Sequence, residues 1–307
     1  MGRTETVMAE GQAKLAEVLQ RAMVDRPPLP STPQSRRGFS VAASSTPRNG
    51  SDDLCPRCRG IGFFMPDLPR SDPKFGRAVH CPLCFDFLAS SRLMPDEQKI
   101  TLRAMDTENP SHAVVQSVCQ SLLEDRRGWL CLHGLWGRGK SYPLMGLTAD
   151  FCRAKVRAQY WTGPQVGDAL YRDIGDDDGK EGGHYRLLRD VPALIVDELD
   201  GIHFDQRGWL AKRLASLLDD RYRNAARQVT IFGMNAEPEG WFCPDNGSDW
   251  ATKGPAIWSR LRDGRFQHPW PEGMKRPGYL AQSPVIPSVL FVDGADLRPY
   301  LTWEDFA

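Results

Sequence analysis

A chain of 307 residues with 41% hydrophobic content can bury one main domain and a smaller appendage. Lys+Arg and Asp+Glu each total 39, so net charge by itself announces neither nucleic acid nor a membrane surface as partner, although residues 1–105 carry 15 basic against 11 acidic side chains. There is no run of about 18 apolar residues and no signal-peptide core, which speaks against a membrane span or export and predicts a cytoplasmic protein. Its eight cysteines then read as thiolates in a reducing compartment.

In chain order, Met8, Leu15, Val18, Leu19 and Met23 stand near helical spacing, which predicts an amphipathic helix within residues 1–25, docked on its own protein or on a partner. Residues 26–53, rich in Pro, Ser and Arg without either periodicity, read as a flexible linker. Residues 54–92 hold Cys55-x-x-Cys58 and Cys81-x-x-Cys84, separated by 22 residues. Four thiolates in two such knuckles suit tetrahedral Zn²⁺, and so short a segment needs a staple to fold. His80 is an alternative ligand, and the metal reads as structural because full thiolate coordination leaves no open position.

Residues 93–265 read as the main domain. A helical stripe of Val114, Val115, Val118, Leu122 and Leu123 precedes the strand "WLCLHG", followed by a helix to about Arg157, the strand "AQYWT", a helix, the strand "PALIVDE", the helix "GWLAKRLASLLDDRYRNA" and the strand "QVTIFGMN". Continuous apolar strands alternating with helices predict an α/β fold whose parallel sheet is covered on both faces. The insert "DIGDDDGKEGGH" reads as a solvated loop, and Cys131 as core. Residues 266–307 show no pattern and read as a C-terminal extension; the terminal "LTWEDFA" reads as a segment that packs or frays.

Between the first strand and its helix lies "GLWGRGKS", which fits G-x-x-x-x-G-K-[ST]. Gly134, Leu135, Trp136, Gly137, Arg138, Gly139, Lys140 and Ser141 would cradle phosphate with backbone N–H groups, Lys140 reaching the β/γ-phosphates and Ser141 a Mg²⁺ ion. Pro143 in the first helical turn forfeits only an N–H without a helical partner. "ALIVDELD" ends a buried strand in Asp197, placed to hold the Mg²⁺ shell, and Glu198, placed to polarise water. Asn235 tips the next strand, as a γ-phosphate sensor or an ordinary turn residue. Arg260 in "IWSRLRDG" is either a finger reaching into a neighbouring subunit's site or one of three arginines on a surface helix.

The cysteine module, "WLCLHGLWGRGKS", "ALIVDELD", "LLDDRYRNAARQVTIFGMN" and "IWSRLRDG", in this order, resemble the AAA+ ATPases of the DnaC/DnaI helicase-loader group and their transposition relative IstB over residues 54–265. The resemblance implies a P-loop NTPase of AAA+ type using ATP, Mg²⁺ and Zn²⁺. In it Gly134–Ser141 are Walker A, Asp197 and Glu198 Walker B, Asn235 sensor 1 and Arg260 the finger. It implies a DNA replication protein whose N-terminal portion grips a replicative helicase and places it on single-stranded DNA, in a homo-oligomeric ring or spiral. Arg153, Lys155 and Arg157 are candidate DNA contacts. The stretch "EPEGWFCPDNGSDWATKG" is longer than that group leads one to expect, and no second-sensor lid is recognisable. The same residues support two other readings: a transposition ATPase assembling on double-stranded DNA, and a non-hydrolysing adaptor that only binds nucleotide.

Overall fold

The computed structural model describes residues 55–59, 61–72, 75–175 and 182–293. The expected N-terminal helix, the linker, residues 176–181 of the acidic insert and "LTWEDFA" lie outside the described residues; the insert, read as a loop throughout, has Asp173 to Gly175 at the end of one helix and Gly183 and His184 at the start of the next. Five parallel strands form the central sheet: β3 (Gly128–His133), β4 (Ala158–Thr162), β5 (Ala193–Asp197), β6 (Val229–Met234) and β7 (Val289–Phe291), in the order β4-β5-β6-β3-β7. The interior strands β5 and β6 are buried at every position, the condition under which strands read as unbroken apolar runs.

Seven helices clothe the sheet: α1 (Pro110–Asp125), α2 (Ser141–Arg153), α3 (Gly163–Gly175), α4 (Gly183–Asp190), α5 (Trp209–Arg223), α6 (Pro238–Phe242) and α7 (Asp249–Leu261). One core lies under α1 and α2, with Val118, Leu122, Leu144, Leu147 and Phe151 against β3, β5 and β6. The opposite core joins α3, α4, α5 and α7 around Trp129, Leu214, Leu218 and Phe232. Local chemistry sets the helix ends. Asn109 accepts the Ser111 N–H before Pro110, and Asp205 accepts the Trp209 and Leu210 N–H groups at the start of α5. α2 stops at Arg153, four residues before the expected end, because Lys155 turns left-handed at φ 60° and the chain re-enters the sheet at Ala158.

Residue 265 is not a boundary in the fold. β7, drawn from the segment read as an extension, pairs with β3 through Cys131↔Val289 to His133↔Phe291, and Ser288 Oγ donates to the Leu261 carbonyl. The long Trp-rich connection also has a packing reason. Trp241, Phe242, Trp250 and Trp258 of α6 and α7 form one aromatic cluster with Phe204, the Phe204 and Trp250 rings stacking with centroids 4.8 Å apart.

The cysteine module is a small hairpin, β1 (Phe63–Phe64) antiparallel to β2 (Val79–His80). Residues 89–92 carry the chain from it along the outer edge of β4. There the Ser90 carbonyl accepts from Gln159 Nε2 at 3.4 Å, and the Arg92 guanidinium lies 3.6 Å from the Trp161 ring centroid. No helix among the described residues is long and apolar enough to cross a membrane.

Candidate nucleotide site and four-cysteine centre

Because every strand of the sheet is parallel, β3, β5 and β6 deliver the residues after them to one edge, where open α/β sheets bind ligands. Gly134 to Lys140 leave β3 there and run into the N-terminus of α2. Gly134 takes φ 150°, and a Cβ on it would meet the Val292 carbonyl oxygen at 2.5 Å; Gly137 and Gly139 are left-handed at φ 76° and 82°. Only glycines allow this cradle of backbone N–H groups. Lys140 is buried, its Nζ donating to the Gly134 and Leu135 carbonyls at 2.8 Å each. His112 Nε2 meets the Arg138 carbonyl from below at 3.3 Å.

Register carries Asp197 to the same edge. Val196 pairs with Phe232 and Leu132 with Gly233, so Asp197 stands level with the end of the P-loop strand, one strand away. The intervening residue is Gly233, whose Cβ would lie 2.3 Å from Asp197 Oδ1 and 2.8 Å from Leu144 Cδ1 in the first turn of α2. The carboxylate and the helix that opens with Ser141 therefore meet over a missing side chain. Asp197 is buried, accepting the Tyr160 hydroxyl at Oδ2 (2.7 Å) and the Glu198 N–H at Oδ1 (2.9 Å). Glu198 has left the strand, left-handed at φ 49° and exposed. Asp200 receives the backbone N–H groups of Asn235 and Ala236, so Asn235 is tied to the turn after β5. The glycine cradle, a lysine and hard oxygen donors on Ser141 and Asp197 fit a magnesium–triphosphate by the chemistry of the donor set.

The remaining expected residues stand elsewhere. Arg260, at the end of α7, pairs with Asp219 of α5 at 2.6 Å and lies 5.2 Å from the Tyr222 ring centroid. Of the candidate DNA contacts, Arg153 and Lys155 are exposed and Arg157 is partly buried. The Arg153 guanidinium bonds the Gln98 and Ile100 carbonyls and Asp150, Lys155 Nζ lies 5.8 Å from the Phe87 ring centroid, and burial lowers the Arg157 pKa. No motif singles out Tyr160, Asp200 or His112. Their only sequence signal is position near a strand or helix end, which many residues share.

Beside the P-loop, a cavity of about 280 Å³ is lined by Asn109, Pro110, Ser111, Tyr279, Phe291 and Asp293, among others. Phe291 joins it to the loop, its ring 3.6 Å from a Cβ placed on Gly134.

At the other centre, the Sγ atoms of Cys55, Cys58, Cys81 and Cys84 lie within 4.8 Å of one another, with Cys55–Cys81 at 3.6 Å and Cys58–Cys84 at 3.2 Å. Four sulfurs about 2.3 Å from a tetrahedral Zn²⁺ stand about 3.8 Å apart, so the thiols fit that ion. Burial pushes the Cys58 thiol up, but hydrogen bonds from Cys84 and the Gly62 N–H outweigh it and bring the pKa down to about 6. His80 is not in the cluster; its ring lies tilted between Phe63 and Phe85, at centroid distances of 4.5 and 3.8 Å, and burial lowers its pKa to about 4.

No protein-family model and no curated protein matches the chain. Solved structures do match. Its structural neighbours are DnaI, the DnaC helicase loader and DnaA. The crystal structure of the DnaI is 15% identical with a TM-score of 0.48, over 69% of this chain and 99% of that one. The DnaC helicase loader is 15% identical with a TM-score of 0.44, over 65% and 100%. AMPPCP-bound DnaA from Aquifex aeolicus is 16% identical with a TM-score of 0.46, over 70% and 60%. The likeness is one of fold alone.

Proposed function

We propose that the protein is a Mg²⁺-dependent ATPase acting as a helicase loader in DNA replication. The observation that carries the ATPase part is the meeting of Asp197 with the first turn of α2 over Gly233, beside the glycine cradle and Lys140. Backbone N–H groups of residues 134–141 and the Lys140 ammonium bind the phosphates, and Ser141 with Asp197 holds the cation that neutralises them. Glu198, exposed just past the strand, takes a proton from the attacking water, which the Asn235 amide orients. The cavity between Tyr279, Phe291 and Pro110 takes the base. Arg260 serves the site of a neighbouring copy, which makes hydrolysis depend on assembly into a ring or spiral.

The loader part is supported by the order of motifs from the cysteine module to "SRL". Residues before about 105 grip the helicase, and the module's exposed Ile61, Met65 and Leu83 provide apolar surface for it. Single-stranded DNA is the track on which the helicase is placed.

Steady-state ATP turnover of the full chain tests the enzyme. Lys140→Ala and Glu198→Gln are each expected to lower it by at least about 100-fold; turnover that survives Glu198→Gln leaves an adaptor that only binds nucleotide. ATP-dependent transfer of a replicative helicase onto circular single-stranded DNA tests the loader, and filaments on double-stranded DNA without helicase binding point to transposition instead.

A further inference from the structure

Tyr160 belongs to none of the motifs, yet it makes the shortest polar contact that Asp197 has, 2.7 Å from its hydroxyl to Oδ2. We propose that Tyr160 is a positioning residue that holds the Asp197 carboxylate in the orientation required to receive the divalent cation at the start of α2. This rests on the reading of the P-loop edge as a nucleotide site.

The register places Tyr160 opposite Ile195, two residues before Asp197 and on the same face of the sheet. Its partly buried ring packs against the core beneath α2, and its hydroxyl reaches along the sheet to the carboxylate. An aspartate carboxylate turns easily about its last torsion. Here each oxygen is held by a different donor, Oδ2 by the Tyr160 hydroxyl and Oδ1 by the Glu198 N–H. Gly233 and Leu144 close the third side. Two donors on different oxygens stop the rotation and leave lone pairs on both for the cation and its waters. Tying β4 to β5 needs no such bond, because the backbone ladder from Ala158↔Ala193 to Thr162↔Asp197 already does so.

Mn²⁺ binding to the full-length protein with the non-hydrolysable analogue AMPPCP, followed by electron paramagnetic resonance, tests the assignment. Tyr160→Phe keeps the ring against the core and removes one oxygen. It is expected to weaken Mn²⁺ binding about 10-fold, the lower end of what a lost partner of a metal ligand costs. AMPPCP affinity in EDTA and the melting temperature are expected to stay at their wild-type values. In an Asp197→Ala background Tyr160→Phe is expected to have no further effect on Mn²⁺; an added loss there means that Tyr160 acts other than through Asp197 and overturns the proposal. Equal Mn²⁺ affinity in wild type and Tyr160→Phe overturns it as well. Wild-type protein that binds neither AMPPCP nor Mn²⁺ overturns the nucleotide reading itself, a result distinct from the other two.

Discussion

At the scale of single residues, Arg221 illustrates why a polar side chain can be indispensable far from any chemistry. It is fully buried in α5, with Nε on Thr230 Oγ1 and the two terminal nitrogens on the carbonyls of Leu188, Arg189, Val191 and Val229. Burial lowers its pKa to about 9, which leaves it charged at neutral pH, and the five acceptors compensate that charge. This gives the "LLDDRY" stretch a structural reason: its arginine staples the end of α4 and the start of β6 to α5. Arg221→Met leaves those acceptors buried without a donor and is expected to cost about 3–5 kcal/mol in urea denaturation; a loss below about 1 kcal/mol would show that water replaces the guanidinium. Gly233 is the converse case, a residue important for what it lacks. Gly233→Ala pushes a methyl against Asp197 Oδ1 and Leu144, so turnover is expected to fall at least about 10-fold for a stability cost of about 1–3 kcal/mol. A fully active alanine variant, measured beside its thermal melt, would remove Asp197 from the site.

At the scale of elements, the cysteine module and the sheet are coupled through a short connection. The module's own strands are two residues each, too little to hold a fold by backbone pairing. Its order depends on what the four thiols bind. The full-length protein is expected to carry about one zinc per chain by elemental analysis. Cys58→Ser is expected to lose the metal and to open residues 55–88 to protease while the P-loop domain still melts cooperatively. Loss of the whole domain on the same change would mean that the module's contacts with β4, through Ser90 and Arg92, carry more of the stability than two such contacts suggest.

At the scale of the molecule, the last strand decides where the domain ends. β7 covers β3 on its outer edge, Val292 donates to the His133 carbonyl at 2.7 Å, and the Phe291 ring would meet a Cβ on Gly134 at 3.6 Å. A chain cut after residue 265 exposes the edge of β3 with the buried faces of Leu130 and Leu132, and is expected to aggregate or to lose nucleotide binding. A soluble, ATP-binding truncation, judged by size exclusion and nucleotide fluorescence, would show that the edge is covered in another way. The strand escapes a reading of the sequence because "SVLFV" is three paired residues in a proline-rich stretch without periodicity, and only its partner makes it a strand.

The glycine-rich turn of residues 134–141 and the long apolar strands were legible in the amino acids themselves. A phosphate-binding turn admits few residue types, and a strand buried on both faces must be apolar throughout, so local chemistry alone marks them. The pairing of the two C-x-x-C knuckles was legible for the same reason of spacing. The order of the strands, the contact of Asp197 with Tyr160 and Gly233, the pairing of Arg260 with Asp219 and the place of β7 came only from tertiary structure. Each joins residues far apart in the chain, and which side chain ends beside which depends on strand order and register, quantities to which a single residue contributes almost nothing.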